Sequence, residues 1–322
     1  MRIAFVGKGG SGKTTLSALF AQHLARSMAP VVAIDADINQ HLGSALGLDE
    51  YEACEILPLG AQLPEIKEYL RGDNPRISSR DAMVKTTPPG QGSRLLRPLG
   101  PDPVHQRHGH DVDGVRLMVT GTFEEADLGV SCYHSKLGAV ELYLNHLVDG
   151  PGEYVVVDMT AGADAFASGL FTRFDLTFLV AEPTRKGVSV YHQYREHAAE
   201  FGVPIAVVGN KVTGPEDEQF LIQHVGDHLL TTFGHSDWVR AREQGRATGE
   251  LEPEHRLALD RLRVAVDATT KDWPAFQRQG VEFHLRNAHA WANQATGQDL
   301  STQIDPDFQH GPGALPGAAV TV

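Results

Sequence analysis

A glycine-rich run near the start of the chain places the tightest constraint on the fold. Residues 7–15 read GKGGSGKTT and contain the pattern G-x-x-x-x-G-K-[ST], a loop whose backbone N–H groups cradle phosphate oxygens. Such a loop works between a strand and a helix, because the helix N-terminus also points at the anion. The apolar run Ile3–Val6 precedes it, and four apolar residues at helical spacing follow it: Leu16, Leu19, Phe20 and Leu24.

With both flanks correct, we interpret this run as a nucleotide-binding loop rather than a chance glycine-rich turn. Lys13 is predicted to reach the β- and γ-phosphates, and the Thr14 hydroxyl to bind Mg²⁺. The residues predicted to surround the phosphates are Gly9, Gly10, Ser11, Gly12, Lys13, Thr14 and Thr15.

Short β-rich runs alternate with helical patterns along most of the chain. Most of these runs are nearly continuous in Val, Ile, Leu and Phe, which is typical of parallel strands covered on both faces. The predicted strands are Arg2–Val6, Val31–Asp35, Val115–Val119, Tyr154–Asp158, Leu176–Ala181 and Pro204–Asn210. The predicted helices are Thr14–Met28, Lys136–Leu147, Gly187–Phe201, Glu216–Leu230 and Arg256–Ala268. This order predicts a doubly wound, mostly parallel α/β sheet flanked by helices, with ligands at the carboxyl ends of its strands.

Two regions interrupt the alternation. We expect one domain over residues 1–270, with a long insertion at about 57–113 that is rich in Pro, Gly, Arg and His. Residues 271–300 are predicted to form a helical extension. Residues 301–322 lack periodicity and are predicted to be a disordered tail.

Charge and cysteine content narrow the function classes. The chain has 28 Lys and Arg against 41 Asp and Glu, a net charge of −13, which disfavours DNA and anionic membranes as partners. Its two cysteines argue against a disulfide framework and fit a reducing compartment. No apolar stretch approaches the roughly 20 residues of a membrane span. We therefore expect a cytoplasmic protein.

Carboxylates follow two of the predicted strands. The second strand ends in Asp35-Ala36-Asp37, where a carboxylate beside the phosphate loop can orient a water for attack on the γ-phosphate or contact the water shell of Mg²⁺. Asp37 is the stronger candidate for positioning water, and Asp35 for the metal shell. The alternative is a pair of turn-forming aspartates.

The strand Tyr154–Asp158 closes on a carboxylate in the same way. Four apolar residues ending in Asp158 are the pattern that holds Mg²⁺ through a water. Gly162, four residues later, permits close approach of a backbone N–H to the γ-phosphate, so this loop is predicted to respond to hydrolysis. Alone the pattern is weak, but as the third member of an ordered set it is strong.

The last predicted strand ends at Asn210-Lys211. An Asn amide offers both a donor and an acceptor, which suits the edge of an adenine base. We therefore assign Asn210 and Lys211 to nucleotide binding, with an ordinary strand-to-turn Asn as the alternative.

Together these motifs resemble the deviant-Walker ATPases, a family that includes MinD, ParA and the nitrogenase iron protein. Within it the chain is most similar to the CooC-like ATPases that mature nickel carbon monoxide dehydrogenase. The shared features, in order, are Gly7–Thr15, Ala33–Asp37, Asp158–Gly162, Ala181–Thr184 and Val208–Val212, and the likeness extends over about Met1–Thr270. The resemblance implies ATP and Mg²⁺ as ligands, and base and ribose contacts around Gly234–Gly245.

The resemblance gives Lys8 a particular role. In this family the first lysine of the loop crosses a dimer interface and touches the partner's phosphates, so that ATP joins two protomers. The catalytic set expected from the residues and the resemblance together is therefore Lys8, Lys13 and Asp37. The alternative for Lys8 is a solvated loop lysine.

The chain departs from the CooC-like pattern at the metal-binding cysteines. The family has C-x-C before the helix that leads to the fourth strand, whereas this chain has Val130 and Cys132. Cys132 and His134 from two protomers could form a Cys₂His₂ site for Zn²⁺ or Ni²⁺, and a buried Cys beside a surface His is the alternative. The cluster His105, His108 and His110 raises the same choice between metal ligands and ordinary loop histidines.

Two functions follow as hypotheses. The first is an ATP-dependent, dimerising ATPase that assists metal or metallocluster insertion into a client protein. The second is a ParA- or MinD-type positioning or regulatory switch that acts through a protein partner.

Overall fold

An eight-stranded sheet runs through the centre of the molecule. The computed structural model describes residues 1–37, 39–121, 133–160, 166, 169–246 and 249–315. Across the sheet the strand order is β3-β4-β2-β5-β1-β6-β7-β8, and neighbouring strands are parallel except for β3 with β4. The strands are β1 (Arg2–Gly7), β2 (Val31–Ala36), β3 (His110–Val112), β4 (Val115–Val119), β5 (Tyr154–Met159), β6 (Leu176–Ala181), β7 (Ile205–Gly209) and β8 (Leu229–Thr232). The predicted doubly wound α/β fold is confirmed.

The central strands are buried over their whole length. Every residue of β1, β2 and β5 is buried, because helices cover both faces of the sheet. Successive side chains point to opposite faces, so Ile3 and Phe5 join one apolar cluster while Ala4 and Val6 join the other. This alternation explains why these strands read as continuous apolar runs.

Helices form the two outer layers. They are α1 (Lys13–Arg26), α2 (Leu42–Leu46), α3 (Glu50–Glu55), α4 (Leu63–Arg71), α5 (Pro103–His108), α6 (Tyr133–His146), α7 (Arg185–Ala198), α8 (Pro215–Val225), α9 (Asp237–Glu243), α10 (Pro253–Asp267), α11 (Trp273–Asn287) and α12 (Asn293–Thr296). Leucines and valines of α1 and α10 belong to one apolar cluster, and those of α6, α7 and α8 belong to the other. The five predicted helices are present, with ends that differ by a few residues.

One predicted helix is too long. The pattern over 216–230 predicts a continuous helix, but α8 ends at Val225 and Leu229 begins strand β8. Gly226 has a φ of 58°, a left-handed value that terminates a helix and that glycine adopts easily. Pairing of β8 with β7 then takes the following residues into the sheet. The three-residue strand β3, inside the predicted insertion, was also missed because it is too short to show periodicity.

A buried ionic cluster fastens the C-terminal extension to the base of the sheet. The Lys271 Nζ lies 2.7 Å from an Asp149 oxygen and 2.6 Å from an Asp175 oxygen. The fully buried Arg2 guanidinium donates to the other Asp149 oxygen at 2.8 Å and stacks 4.3 Å from the Phe276 ring centre of α11. Opposite charges in contact offset much of the cost of burying them, so the extension is held at its first turn.

The prediction of a disordered tail from residue 301 is wrong for residues 301–315. Gln303 is buried and its amide donates to the Ala82 carbonyl at 2.8 Å. Asp305 accepts from the Gln91 backbone N–H at 2.9 Å, and buried His310 hydrogen-bonds the Asn145 carbonyl at 2.9 Å. These partners lie far away in sequence, which is why composition alone indicated disorder. Residues 316–322 lie outside the described residues.

We predict that deleting residues 301–322 destabilises the fold. Three backbone groups, two of them buried, would lose their hydrogen-bond partners, each bond worth about 1 kcal/mol net, so the free energy of unfolding should fall by roughly 3 kcal/mol in urea denaturation. Deleting 316–322 alone is the matched control and should change little. Equal stability of the two truncated proteins would contradict the structural role of the segment.

Candidate nucleotide-binding site

Strand order brings the predicted motifs to one place. Strand β5 lies between β1 and β2, and its Asp158 is in register with Phe5 on one side and with Asp35 on the other. Since the three strands are parallel, the phosphate loop after β1 and the two aspartates share one edge of the sheet. The structure therefore unites residues separated by more than a hundred positions in sequence.

The phosphate loop has the backbone shape that its glycines allow. Gly10 and Gly12 have φ values of 80° and 92°, which residues with a Cβ adopt at a cost. A Cβ on Gly12 would lie only 2.2 Å from the Asn210 amide nitrogen. Gly12 is thus required twice, for its conformation and for the close approach of Asn210.

A polar cluster lies directly behind this loop. The Lys13 Nζ contacts an Asp37 oxygen at 2.5 Å and lies 3.9 Å from an Asp158 oxygen. The Thr14 hydroxyl donates to the other Asp158 oxygen at 2.6 Å. The two side chains predicted to bind phosphate and Mg²⁺ therefore already touch the two carboxylates predicted to serve the same chemistry.

Asp35 organises the backbone of the neighbouring loop. It is fully buried, and its two oxygens accept from the Leu42 N–H at 2.8 Å and the Asp37 N–H at 3.1 Å. Asp37 itself accepts from the Asn39 N–H at 3.1 Å. Asp35 thereby fixes where the Asp37 carboxylate stands, a role that the sequence did not indicate.

Crowding of these carboxylates perturbs their ionisation. Burial raises the pKa of Asp35, and the adjacent Asp158 charge raises it further. Burial also raises the pKa of Asp158 above its ordinary value, although Lys13 and the Thr14 hydroxyl oppose that shift. For Lys13 burial lowers the pKa, but Asp158 and Asp37 outweigh burial and the net pKa is raised. The ammonium is thus firmly charged inside a cluster with more negative than positive groups.

Asn210 and Lys211, which directly follow β7, hold the phosphate loop through its backbone carbonyls. The Asn210 amide donates to the Ser11 carbonyl at 2.7 Å. The Lys211 Nζ lies 2.6 Å from both the Gly10 carbonyl and a Glu182 oxygen, and Lys211 has a φ of 60°, a strained value for a lysine. Their contacts with a base remain predictions, and Glu182 is a partner that sequence reasoning missed.

The loop opens onto a large cleft. A space of about 1490 Å³ extends from Gly9 and Thr14 past Asp37 to Arg242 and Arg246. A neighbouring cavity of about 430 Å³ is lined by residues that include Asn210, Phe233, Ser236 and Glu243. It covers part of the region 234–245 that the family resemblance links to the base and ribose. The phosphate loop and a partly apolar cavity therefore adjoin, as a nucleotide requires.

The remaining candidates fall elsewhere. Gly162 and Cys132 lie outside the described residues, as does the side chain of His134. Buried His105 lies 2.5 Å from an Asp102 oxygen and 2.8 Å from the Tyr143 hydroxyl, and His108 hydrogen-bonds the Leu57 carbonyl. Across the described ranges, no three His, Cys, Asp or Glu side chains are grouped to hold a metal ion. These two histidines thus serve packing of the insertion.

A phosphate loop after a central parallel strand, with carboxylates at the ends of two neighbouring strands, defines a P-loop nucleotide-binding protein. The chain belongs to the CobQ/CobB/MinD/ParA nucleotide binding domain family, whose profile matches residues 3–233. It is an ATPase of this family, as the sequence motifs predicted.

Similar proteins agree with this assignment. The carbon monoxide dehydrogenase accessory protein CooC of Rhodospirillum rubrum is 28% identical over 269 residues, which cover 83% of this chain and 96% of CooC. An uncharacterized ATP-binding protein of Methanocaldococcus jannaschii is 29% identical over 232 residues, 71% of this chain and 81% of that protein. The predicted resemblance to CooC-like ATPases is confirmed.

Solved structures share the fold. The MinC:MinD cell division complex of Aquifex aeolicus matches with a TM-score of 0.53 at 15% identity, over 84% of this chain and 97% of that one. A ParA family ATPase of Chlorobium tepidum matches with a TM-score of 0.53 at 13% identity, over 87% and 97% of the two chains.

In the described part of the molecule, no helix is long and apolar enough to cross a bilayer.

We predict that Asp158→Asn stabilises the nucleotide-free protein at pH 8. The pKa of Asp158 in the folded protein is raised above the ordinary value of 3.8, so the folded state binds more protons than the unfolded state between these two pKa values. The free energy of unfolding therefore falls as the pH rises through that range. The isosteric amide removes this loss, which we expect to be on the order of 1–3 kcal/mol. Urea denaturation at pH 4 and pH 8 measures it.

The same variant should lose the stabilisation that Mg-ATP confers on the wild-type protein, because a ligand-binding charge is gone. A variant that is less stable at pH 8 and still fully stabilised by Mg-ATP would contradict the assigned role of Asp158.

Proposed function

We propose that this protein is a Mg-ATP-dependent ATPase switch that dimerises around ATP and assists the insertion of a metal or metallocluster into a client protein. The observation that carries the proposal is the contact of Lys13 with Asp37 and of Thr14 with Asp158 behind the phosphate loop. These four side chains are the ones that phosphoryl transfer needs at hand.

The residues present fit Mg²⁺. Three carboxylates, Asp35, Asp37 and Asp158, surround one ammonium group, so a further cation relieves their repulsion. Mg²⁺ usually takes one or two carboxylates together with substrate phosphates and waters, which explains why the described residues form no complete protein cage. Thr14 and Asp158 would hold the ion, directly or through water, with Asp35 and Asp37 in its surroundings. The ion neutralises charge on the phosphates.

Nucleotide binding would exchange partners within the cluster. The Lys13 ammonium leaves Asp37 for the β- and γ-phosphate oxygens, since a multiply charged anion attracts it more strongly than one carboxylate. Asp37 is then free to accept a hydrogen bond from the attacking water, and Asp35 holds it in place through the Asp37 N–H. Gly162, outside the described residues, stays a prediction for a backbone N–H donor to the γ-phosphate. Asn210 and Lys211 hold the loop and face the base.

Lys8 would complete the site of a second protomer. It is half-buried at the start of the loop, and among the described residues its side chain makes no hydrogen bond or ion pair. A lysine supplied across a dimer interface neutralises charge that develops during phosphoryl transfer. The family resemblance supports this role, and it makes ATP the link between two copies of the chain.

The client is proposed from the similarity to CooC, which spans 96% of that accessory protein. The cargo would be a metal ion or cluster bound as substrate, with Cys132 and His134 of two protomers as candidate ligands. We propose a cytoplasmic location, which the low cysteine content of the chain fits.

A positioning or regulatory switch of the ParA or MinD type is the second candidate, favoured by the match to that family. A net charge of −13 disfavours DNA and anionic lipid as its partners, so it would act through a protein. Cosedimentation with DNA or liposomes in Mg-ATP tests this candidate, and ATP-dependent binding to either would favour it over metal insertion.

We predict that Lys13→Ala and Asp37→Ala separate binding from hydrolysis. Without Lys13 the phosphates lose their main counter-charge, so ATP should no longer raise the melting temperature. Without Asp37 binding should persist while turnover falls about 100-fold or more, because water positioning is lost. Thermal unfolding and calorimetric titration with ATP measure binding, and phosphate release measures turnover.

Asp227→Ala is a matched control, since this carboxylate is exposed and lies outside the cleft. Unchanged turnover in the Asp37 variant would remove Asp37 from the catalytic set. ATP binding that survives Lys13→Ala would exclude the assigned role of Lys13.

We further predict that Lys8→Ala binds ATP as a monomer, whereas the Asp37 variant accumulates as an ATP-bound dimer. Light scattering with ATP measures the mass of each. Metal analysis of the trapped dimer, with Cys132→Ala beside it, tests the cargo site. A dimer that forms without Lys8 contradicts the link through ATP, and metal content unaffected by Cys132→Ala contradicts the proposed ligand.

A further inference from the structure

Three elements meet at the carbonyl oxygen of Leu46, the last residue of α2. The Arg242 guanidinium of α9 donates to this oxygen through Nη2 at 2.6 Å, and Gln22 of α1 donates to it through Nε2 at 3.0 Å. Arg242 Nη1 also donates to the Gln22 amide oxygen at 3.1 Å. The three groups therefore close a ring of hydrogen bonds between α1, α2 and α9.

The other end of α2 is bound to the carboxylate cluster of Asp35, Asp37 and Asp158. The N–H of Leu42, its first residue, donates to Asp35, and Asp35 also accepts the Asp37 N–H. Helix α2 has five residues, and so short a helix has little stability of its own. Leu42 and Leu46 pack α2 into the core, and Asp35 and Arg242 bind the backbone groups at its two ends.

Helix α9 forms a wall of the cavity beside the phosphate loop. Val239, Arg240 and Glu243 line that cavity, and Glu243 accepts from the Thr15 hydroxyl at 3.4 Å. Helix α9 has no fully buried residue: Trp238 and Val239 pack partly against the core, whereas Arg240 and Glu243 on the cavity side stay exposed. A nucleoside in the cavity would add contacts along one side of α9 and hold it.

The local sequence makes room for the guanidinium. A Cβ on Gly47 would lie 2.9 Å from Arg242 Nη2, and Gly47 has a φ of 110°. The Arg242 guanidinium also lies 5.2 Å from the Trp238 ring centre, which orients it within α9. The planar guanidinium reaches its two acceptors through two separate nitrogens, a geometry that the single nitrogen of lysine reproduces poorly.

We propose that Arg242 is a positioning residue that transmits occupancy of the nucleoside cavity to the carboxylates of hydrolysis. A bound nucleoside holds α9 in place, and Arg242 of α9 then holds the last residue of α2. The first residue of α2 in turn holds Asp35, which binds the Asp37 N–H. ATP with its base in place thereby orders the site in which its phosphate is cleaved. The proposal rests on the proposed ATPase function.

Hydrogen–deuterium exchange and steady-state kinetics on Arg242→Ala test it. In the wild-type protein, Mg-ADP should slow amide exchange in both α9 and α2. In the variant, α9 should remain protected while protection of α2 is lost, and kcat for ATP should fall about tenfold or more with KM changed less than about threefold. Arg242→Lys should give values between those of the wild type and those of Arg242→Ala. Arg263→Ala is the control, because this partly exposed arginine of α10 pairs with Asp267 and lines neither cavity.

Three results would overturn the proposal. Equal protection of α2 in the variant excludes transmission through Arg242. Loss of Mg-ADP binding makes Arg242 a nucleotide ligand instead. If amide exchange in α2 of Arg242→Ala is faster without nucleotide but returns to the wild-type rate with Mg-ADP, Arg242 only packs against α2. A wild-type protein that binds ATP without hydrolysing it would refute the proposed function while leaving the exchange test readable.

Discussion

Two neighbouring carboxylates, Asp35 and Asp158, determine the electrostatics of this site. They stand in register on adjacent strands, both fully buried, and the nearest described cation is the Lys13 ammonium, which also serves Asp37. Burying carboxylates is unfavourable: burial raises the pKa of both groups, and the Asp158 charge raises that of Asp35 further. Under the proposed function, a magnesium nucleotide would relieve this cost and so would stabilise the protein when it binds.

This electrostatic arrangement favours a switch over a fast metabolic catalyst. Lys13 and Thr14 contact Asp37 and Asp158 in the protein without ligand, so under the proposed roles nucleotide binding would exchange these two contacts for others. The Lys13 exchange would alter the loop after β2, which continues into α2. Nucleotide binding would then be coupled to conformational change, and the proposed role of Arg242 would extend that coupling to α9.

Regions added to the family domain are integrated with it. The profile match ends at residue 233, yet Lys271 and Phe276 engage the buried Arg2–Asp149 cluster below the sheet, and His310 reaches α6. The C-terminal segment also contacts the insertion through Gln303 and Asp305. The insertion and the extension thus stabilise each other, while residues 110–113 at the end of the insertion line the cleft in front of the phosphate loop.

The sequence by itself determined the phosphate loop, six of the eight strands and the aspartates that end two of them. These are local patterns, in which a few neighbouring residues fix both conformation and chemistry. The tertiary structure decided what depends on distant contacts: the placement of β5 between β1 and β2, Asp35 as the support of Asp37, and the order of residues 301–315. It also determined the hydrogen bonds of Asn210, Lys211 and Arg242 to backbone carbonyls. No local sequence pattern predicts which carbonyl a long side chain will reach once the strands are assembled.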